Sequence, residues 1–238
     1  MSVLILKIIA MISMVIDHAS SVFFHGDQFL RFIGRLSFPI YAMLIAEGYL
    51  HHKEERTEEL YLKRLFILAV ISELPYDAVF NHGLFIFGSS NVIFCYFIAV
   101  MTLYLASKIS VVELRVVPYF FGPIAAAVIG TDYSLLGVLL VYGFVICLKI
   151  RKTSVNRYRF MVSAVIICFF IIVYKTFGYS FSPIGFKTFL TVRWHELGVL
   201  CVIPILMLYN RKNVYQSKWF STVYHFFYPV HLTIFWLI

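Results

Sequence analysis

Nine long apolar stretches separated by short polar segments restrict this chain more than any other feature. They run over 3–24, 30–49, 62–80, 92–107, 116–131, 134–148, 160–174, 195–209 and 222–238. A helix that crosses a bilayer needs about 20 mostly apolar residues, within a range of about 17–25. Several of the nine are short. The segment 178–192 reads equally as an outer loop, a re-entrant piece or part of a longer helix. Composition agrees with the membrane reading: 61% of the 238 residues are hydrophobic, 13% are charged and the mean hydropathy is +0.88. Soluble domains carry about 25% charged residues. So few charges cannot cover the surface of a soluble domain this long, which excludes a soluble enzyme. The expected fold is all-α: a polytopic integral membrane helix bundle of about nine spans. No linker or charge block divides it, so it is expected to form one domain over 1–238.

The net charge of +8 points to a membrane surface and not to nucleic acid, because cytoplasmic loops of membrane proteins collect Lys and Arg. With nine spans, fifteen of the 20 Lys and Arg fall on the side of the N-terminus. Arg31, Arg35, Lys175, Lys187 and Arg193 fall on the other. This bias places the N-terminus in the cytoplasm and the C-terminus outside. Cys95, Cys147, Cys168 and Cys201 lie in apolar runs without CxxC spacing and read as buried small hydrophobes. The first apolar stretch lacks a small-residue cleavage site and reads as a retained span.

Charges at membrane depth are costly and mark function. Spans four to seven carry none in their interiors. Asp17, His18, Arg31, Arg35, Glu73, Asp77, Arg193, His195 and Glu196 all fall in the outer half of spans one, two, three and eight. Such a set either forms a structural salt-bridge network or lines a polar cavity, and so many groups at one level favour the cavity. No HExxH or paired metal spacing occurs, so no metal is expected. Neither a Walker A loop nor a GxGxxG motif is present.

His18 is the sharpest candidate, because imidazole titrates near neutral pH and a general base needs that property together with an orienting partner. Asp17 points about 100° away on a helix. Glu73, Asp77 and Glu196 are better orienters by depth. Lys7 lies 11 residues before His18, which puts the two on one helix face about 16 Å apart. That spacing suits a ligand with anionic phosphates at the inner surface and a reactive end within the membrane. Ordinary anchoring explains Lys7 equally well. Tyr228-Pro229-Val230-His231 puts a kink and an imidazole in the last span, where His231 either lines the cavity or makes a structural hydrogen bond. His51 and His52 read as solvated, and His25 and His82 as loop residues.

Several segments resemble the TraX family, known for F-pilin acetylation. They are Leu6-Lys7-Ile8-Ile9-Ala10 running to Ile16-Asp17-His18, Arg31-Phe32-Ile33-Gly34-Arg35-Leu36-Ser37-Phe38-Pro39-Ile40, Ile45-Ala46-Glu47-Gly48-Tyr49 and Tyr61-Leu62-Lys63-Arg64-Leu65. Ser72-Glu73-Leu74-Pro75-Tyr76-Asp77, Asn91-Val92-Ile93-Phe94, Asp132-Tyr133-Ser134-Leu135 and Tyr228-Pro229-Val230-His231 continue the likeness. It covers nearly the whole chain and is weakest over 150–192. TraX proteins are similar in turn to larger transmembrane acyltransferases, which place a basic residue and a histidine about 11 positions apart in the first span. Lys7 and His18 occupy those places, with Lys where the polysaccharide acetylases have Arg.

The resemblance implies an acetyltransferase of the bacterial cytoplasmic (inner) membrane. Acetyl-CoA would enter from the cytoplasm, and an extracytoplasmic acceptor, a pilin-type amine or a surface glycan, would lie opposite. His18 is then the base or acetyl carrier, accompanied by Asp17, oriented by Glu73 or Asp77, with Arg35 at the oxyanion. Lys7, Arg31 and His231 would meet the cofactor. The competing expectation is a transporter or a conjugation or pilus-assembly subunit that uses a buried His–carboxylate network. Membrane lipids are partners in either case. The sequence leaves the acceptor, the number of helices around 176–194 and the oligomeric state open.

Overall fold

The computed structural model describes residues 1–83, 89–179, 182–210 and 218–238. Eleven α-helices are named among them: α1 (Val3–Phe23), α2 (Gln28–Gly34), α3 (Ser37–Glu54), α4 (Glu58–Tyr76), α5 (Val92–Lys108), α6 (Val117–Ile129), α7 (Ser134–Arg151), α8 (Val155–Thr176), α9 (Pro183–Val192), α10 (Val202–Leu208) and α11 (Lys218–Leu237). A π-helical turn over Asp77–Asn81 extends α4, and a 3-10 helix over Trp194–Cys201 precedes α10. No strand occurs among the described residues. A single parallel bridge joins Ser90 and Thr131. The fold is all-α.

Four segments are long and apolar enough to cross a membrane: Val3–Phe23, Gln28–Glu54, Ser134–Arg151 and Val155–Thr176. A fifth is the pair Pro183–Val192 and Trp194–Leu208, bent by 88°. The ambiguous segment 178–192 therefore ends in a short helix that meets its successor at nearly a right angle; residues 180 and 181 lie outside the described ones. The expected span 195–209 opens as a 3-10 helix, and its α-helical part is only seven residues long. Many large apolar side chains are exposed, including Ile5, Ile12, Phe120, Val128 and Phe160, as lipid contact requires. The chain is a membrane protein.

The chain divides into two compact units. Unit 1 comprises Met1–Tyr41 and Lys149–Gln216, and unit 2 comprises Ala42–Leu148 and Ser217–Ile238. In unit 1, α1 runs without Gly or Pro to Phe23. The chain then reverses through His25 and Gly26, both at positive φ (50° and 77°). Asp27 starts α2 by accepting from the Leu30 amide at 3.0 Å, and its carbonyl accepts from the Ser20 hydroxyl at 2.9 Å. The result is an αα-hairpin. α2 packs on the 3-10 helix, which in turn packs on α8 and α9. Phe38 and Phe169 meet in the core with ring centroids 5.9 Å apart. At another point Arg151 donates to the Tyr209 carbonyl at 2.8 Å and stacks on the Tyr158 ring.

In unit 2, α5 packs between α4 and α6, and α11 lies on α4. Tyr49 ties α3 to α5 through a hydrogen bond to the Leu103 carbonyl at 3.1 Å. Pro75 lacks an amide hydrogen, and the π turn that follows it carries Asp77 fully buried. All four cysteines are free. Cys95 and Cys147 are buried, but Cys168 and Cys201 are exposed on the apolar surface, which corrects the expectation that all four are buried.

Candidate functional site

The faces of α1 set the geometry of unit 1. Val3, Leu6, Ala10, Ser13 and Ser20 are buried along one stripe, and the 3.6-residue period puts Asp17 in the same row. Ile5, Ile8 and Ile12 are exposed on the opposite face. Between the two runs a third row, Lys7, Met11, Met14 and His18, in which Lys7, Met11 and His18 are half-buried. The expected common face of Lys7 and His18 is thus a flank of the helix, neither core nor outer surface.

Asp17 begins an ion network that spans α1, α2 and the 3-10 helix. Arg35, 8% exposed just after α2, holds its Nη1 3.6 Å from Asp17 Oδ1. Its Nε lies 2.9 Å from Glu196 Oε2, and its Nη2 donates to Glu196 Oε1 at 3.1 Å, a two-point pairing. His195 Nε2 lies 3.3 Å from Glu196 Oε1, and Arg193 Nη1 lies 4.0 Å from the same oxygen while its guanidinium covers the Phe177 ring at 3.7 Å. Two glycines permit this approach. A Cβ on Gly34 would fall on the Asp17 side chain, and a Cβ on Gly198 would fall on the Phe32 carbonyl oxygen.

Six polar atoms in this region are buried without a hydrogen bond among the described residues: Asp17 Oδ1, Gln28 Oε1, Arg31 Nε, Arg35 Nε and both ring nitrogens of His195. Of these, Asp17 Oδ1, Arg35 Nε and His195 Nε2 lie within 4.0 Å of an ion-pair partner. Asp17 is within electrostatic reach of Arg31, Arg35, His195 and Glu196. Buried polar groups in folded proteins are nearly always satisfied, so a group of orphans marks room for water or a ligand.

Unit 2 treats Glu73 and Asp77 differently. Glu73 Oε2 accepts from the Asn91 backbone amide at 3.1 Å and also from the Asn91 side-chain amide. Asn91 caps α5 by accepting from Ile93 N at 2.9 Å, and it donates to the Ala69 carbonyl at 2.9 Å. Asp77 accepts from Asn81 Nδ2 at 2.7 Å, and the Asn81 amide oxygen accepts from the Ser89 hydroxyl at 3.2 Å. These partners are neutral amides and a hydroxyl. In α11, His231 is 5% exposed, donates from Nδ1 to the Phe227 carbonyl at 2.8 Å and stacks on the Phe227 ring.

The model of the TraX family, described as TraX protein, matches residues 2–238. The chain belongs to the TraX family. A curated relative is the probable fimbrial assembly protein FimC, serogroup H1, of Dichelobacter nodosus, 32% identical over 118 residues. The match covers 44% of this chain and 47% of the relative, so the chain spans about half the length of that protein. No solved structure matches.

Within this TraX protein the expected site residues separate into two groups. Asp17, Arg35, Arg193, His195 and Glu196 come together in unit 1, with Arg31 and His18 on the same elements. Glu73, Asp77 and His231 belong to unit 2, where Glu73 meets Asn91 at the start of α5 and the other two have partners one turn away. Gly34 and Gly198 escaped the sequence reading, although Gly34 lies inside the Arg31–Arg35 segment that resembles TraX. Their signal was position: Gly34 directly precedes Arg35 and Gly198 follows Glu196 by two residues, both in helical segments where close backbone approach is a glycine's use. Among the described residues no group of three His, Cys, Asp or Glu is placed to hold a metal ion.

Proposed function

We propose that this TraX protein is a membrane-embedded acetyltransferase that moves an acetyl group from cytoplasmic acetyl-CoA to an extracytoplasmic amine or hydroxyl. The half-buried row from Lys7 to His18 carries the reading. A single stretched ligand with phosphates at Lys7 and a thioester at His18 fits its length of about 16 Å. His18 takes the proton from the acceptor, the freed nucleophile attacks the thioester carbonyl, and the thiolate of coenzyme A leaves and is protonated. An alternative course passes through an acetyl-histidine. Arg35 donates from Nη2 to Glu196 Oε1, with Nε 2.9 Å from Oε2, so oxyanion donation from Nη2 requires that hydrogen bond to open. Glu73 and Asp77, expected as orienters, belong to unit 2 and accept from Asn91 and Asn81, while Asp17, Asp27 and Glu196 are the carboxylates of His18's own unit.

The topology belongs to the same proposal: nine spans in the bacterial inner membrane, N-terminus inside and C-terminus outside. The last inner loop holds Arg211 and Lys212, which lie outside the described residues. Reporter fusions after Lys152 and after Ile238 test it, and activity of both on the cytoplasmic side overturns it.

Purified protein incubated with labelled acetyl-CoA and candidate pilin or glycan acceptors tests the chemistry. His18→Ala is expected to lower transfer by about 10²–10⁴-fold, the worth of a general base, with an unchanged melting temperature. A folded His18→Ala protein that transfers at the normal rate overturns the assignment. The name of the FimC relative favours a second reading, a membrane subunit of pilus assembly. It predicts that acetyl-CoA neither protects the wild-type protein from thermal unfolding nor donates to any acceptor.

A further inference from the structure

We infer that the polar end of unit 1 is a binding site for a phosphate-type oxyanion, with Arg31 and His195 as its donors. The inference stands apart from acetyl transfer and holds whether or not that activity exists. Three observations carry it. First, His195 is 5% exposed: its Nε2 faces Glu196 Oε1 at 3.3 Å, and its Nδ1 has no hydrogen-bond partner among the described residues. A ring nitrogen left so in the interior loses its full hydration, which a folded protein tolerates where a ligand or water completes it. Second, the buried Nε of Arg31 is equally unpartnered, and both residues lie within electrostatic reach of Asp17. Third, Asp17 and Glu196 share Arg35, Arg193 and His195, and Arg31 adds its field at Asp17, while Asp27, one turn before Arg31, is occupied in capping α2.

Arg35 faces Glu196, so the other cationic donors are the half-buried Arg31, Arg193, whose side chain is 37% exposed, and the buried His195. The two unpartnered acceptors, Asp17 Oδ1 and Gln28 Oε1, narrow the class of ligand. A bare carboxylate offers them nothing. A phosphate group presents anionic oxygens to the arginine and imidazole together with a hydroxyl, either P–OH or on its ester, for Asp17 or Gln28. Such a group arrives either on a soluble phosphorylated molecule or as the headgroup of an anionic lipid.

The test uses the full chain in phosphatidylcholine nanodiscs, with inorganic phosphate as probe against chloride at equal ionic strength and thermal unfolding as readout. Phosphate is expected to raise the melting temperature. Its half-saturating concentration is expected to rise about tenfold or more in Arg31→Gln and in His195→Gln, the scale of one charge-assisted hydrogen bond. Arg115→Gln, an exposed cation of unit 2, is expected to leave it unchanged. No response in the wild type overturns the inference, as does an undiminished response in Arg31→Gln or an equal loss in Arg115→Gln. Arg31 makes no ion pair within 4.0 Å among the described residues, so its variant remains a fair test if His195→Gln fails to fold. Repeating the titration in phosphatidylglycerol nanodiscs separates the sources. Loss of the response there identifies the lipid headgroup as occupant, and retention identifies a soluble phosphate compound.

Discussion

The two units bury carboxylates by opposite means. In unit 1, Glu196 faces Arg35 directly, with His195 and Arg193 crowding the same oxygen. In unit 2, Glu73 is held by one asparagine that also caps α5, and Asp77 by another on its own π turn. Amides that are already fixed by backbone geometry cost little to bring together, and among the described residues no buried side-chain atom of Glu73, Asp77, Asn81 or Asn91 lacks a hydrogen-bond partner. An ion network is costlier to desolvate, and here it retains unpartnered atoms after every pairing has formed. The brace in unit 2 has the character of structure, whereas the network in unit 1 has unused bonding capacity.

The sharpest way to break this contrast is to remove one member from each side. Arg35→Leu strands Glu196 and Asp17 in the interior and is expected to cost about 3–5 kcal/mol, read as a large fall in melting temperature or failure to accumulate. The double variant Arg35→Leu/Glu196→Leu is expected to recover much of that loss, because the uncompensated charge goes with it. Glu73→Gln keeps an acceptor for the Asn91 amide and is expected to cost only about 1 kcal/mol. Equal losses from Arg35→Leu and Glu73→Gln would erase the distinction.

A smaller effect separates the units by what their glycines touch. A Cβ on Gly198 meets the Phe32 carbonyl, which is backbone and cannot swing aside, with Arg35 Cβ a further 3.2 Å contact. A Cβ on Gly122 meets the Tyr142 hydroxyl at 2.6 Å and Thr102 Cγ2 at 2.7 Å, which are side-chain atoms. Gly198→Ala is expected to cost about 3 kcal/mol and Gly122→Ala about 1 kcal/mol, both within the usual range for overpacking. The order of the two melting temperatures is the measurement, and its reversal would show that unit 1 is the more pliable.

Much of this was legible in the sequence, for reasons that particular residues illustrate. Apolar runs without Gly or Pro placed both ends of α1 and the C-terminal end of α8 within two residues, since helix formation over such runs is local, but α8 begins at Val155, five residues before the expected start. The face shared by Lys7 and His18 followed from the helical period alone. Depth grouped Asp17, Arg35, Glu73, Asp77 and Glu196, but depth cannot say which carboxylate meets which cation. That choice depended on Gly34 and Gly198, whose missing side chains bring α1, α2 and the 3-10 helix within reach. The 3-10 opening at Trp194 was equally hidden. Its residues are apolar enough for a span, and only the bend at Arg193 sets it apart.

The smallest expected effect is the most selective, because it separates a role in stability from a role in binding. Asp17 stands 3.6 Å from Arg35 Nη1, too far for a strong hydrogen bond, with its side chain 18% exposed. Asp17→Asn keeps its shape, so the loss of stability is expected to stay below about 1 kcal/mol, near the value of a partly exposed pair. The same change removes a negative charge from the cluster. Anion affinity should therefore rise, and phosphate should stabilise Asp17→Asn at a concentration about two- to fivefold lower than the wild type needs, a gain of about 0.4–1 kcal/mol. A purely structural network predicts the small loss of stability and no change in the phosphate response. A variant that melts slightly lower without phosphate yet responds to less of it would mark unit 1 as a site, and the neutral brace of unit 2 has no counterpart to that behaviour.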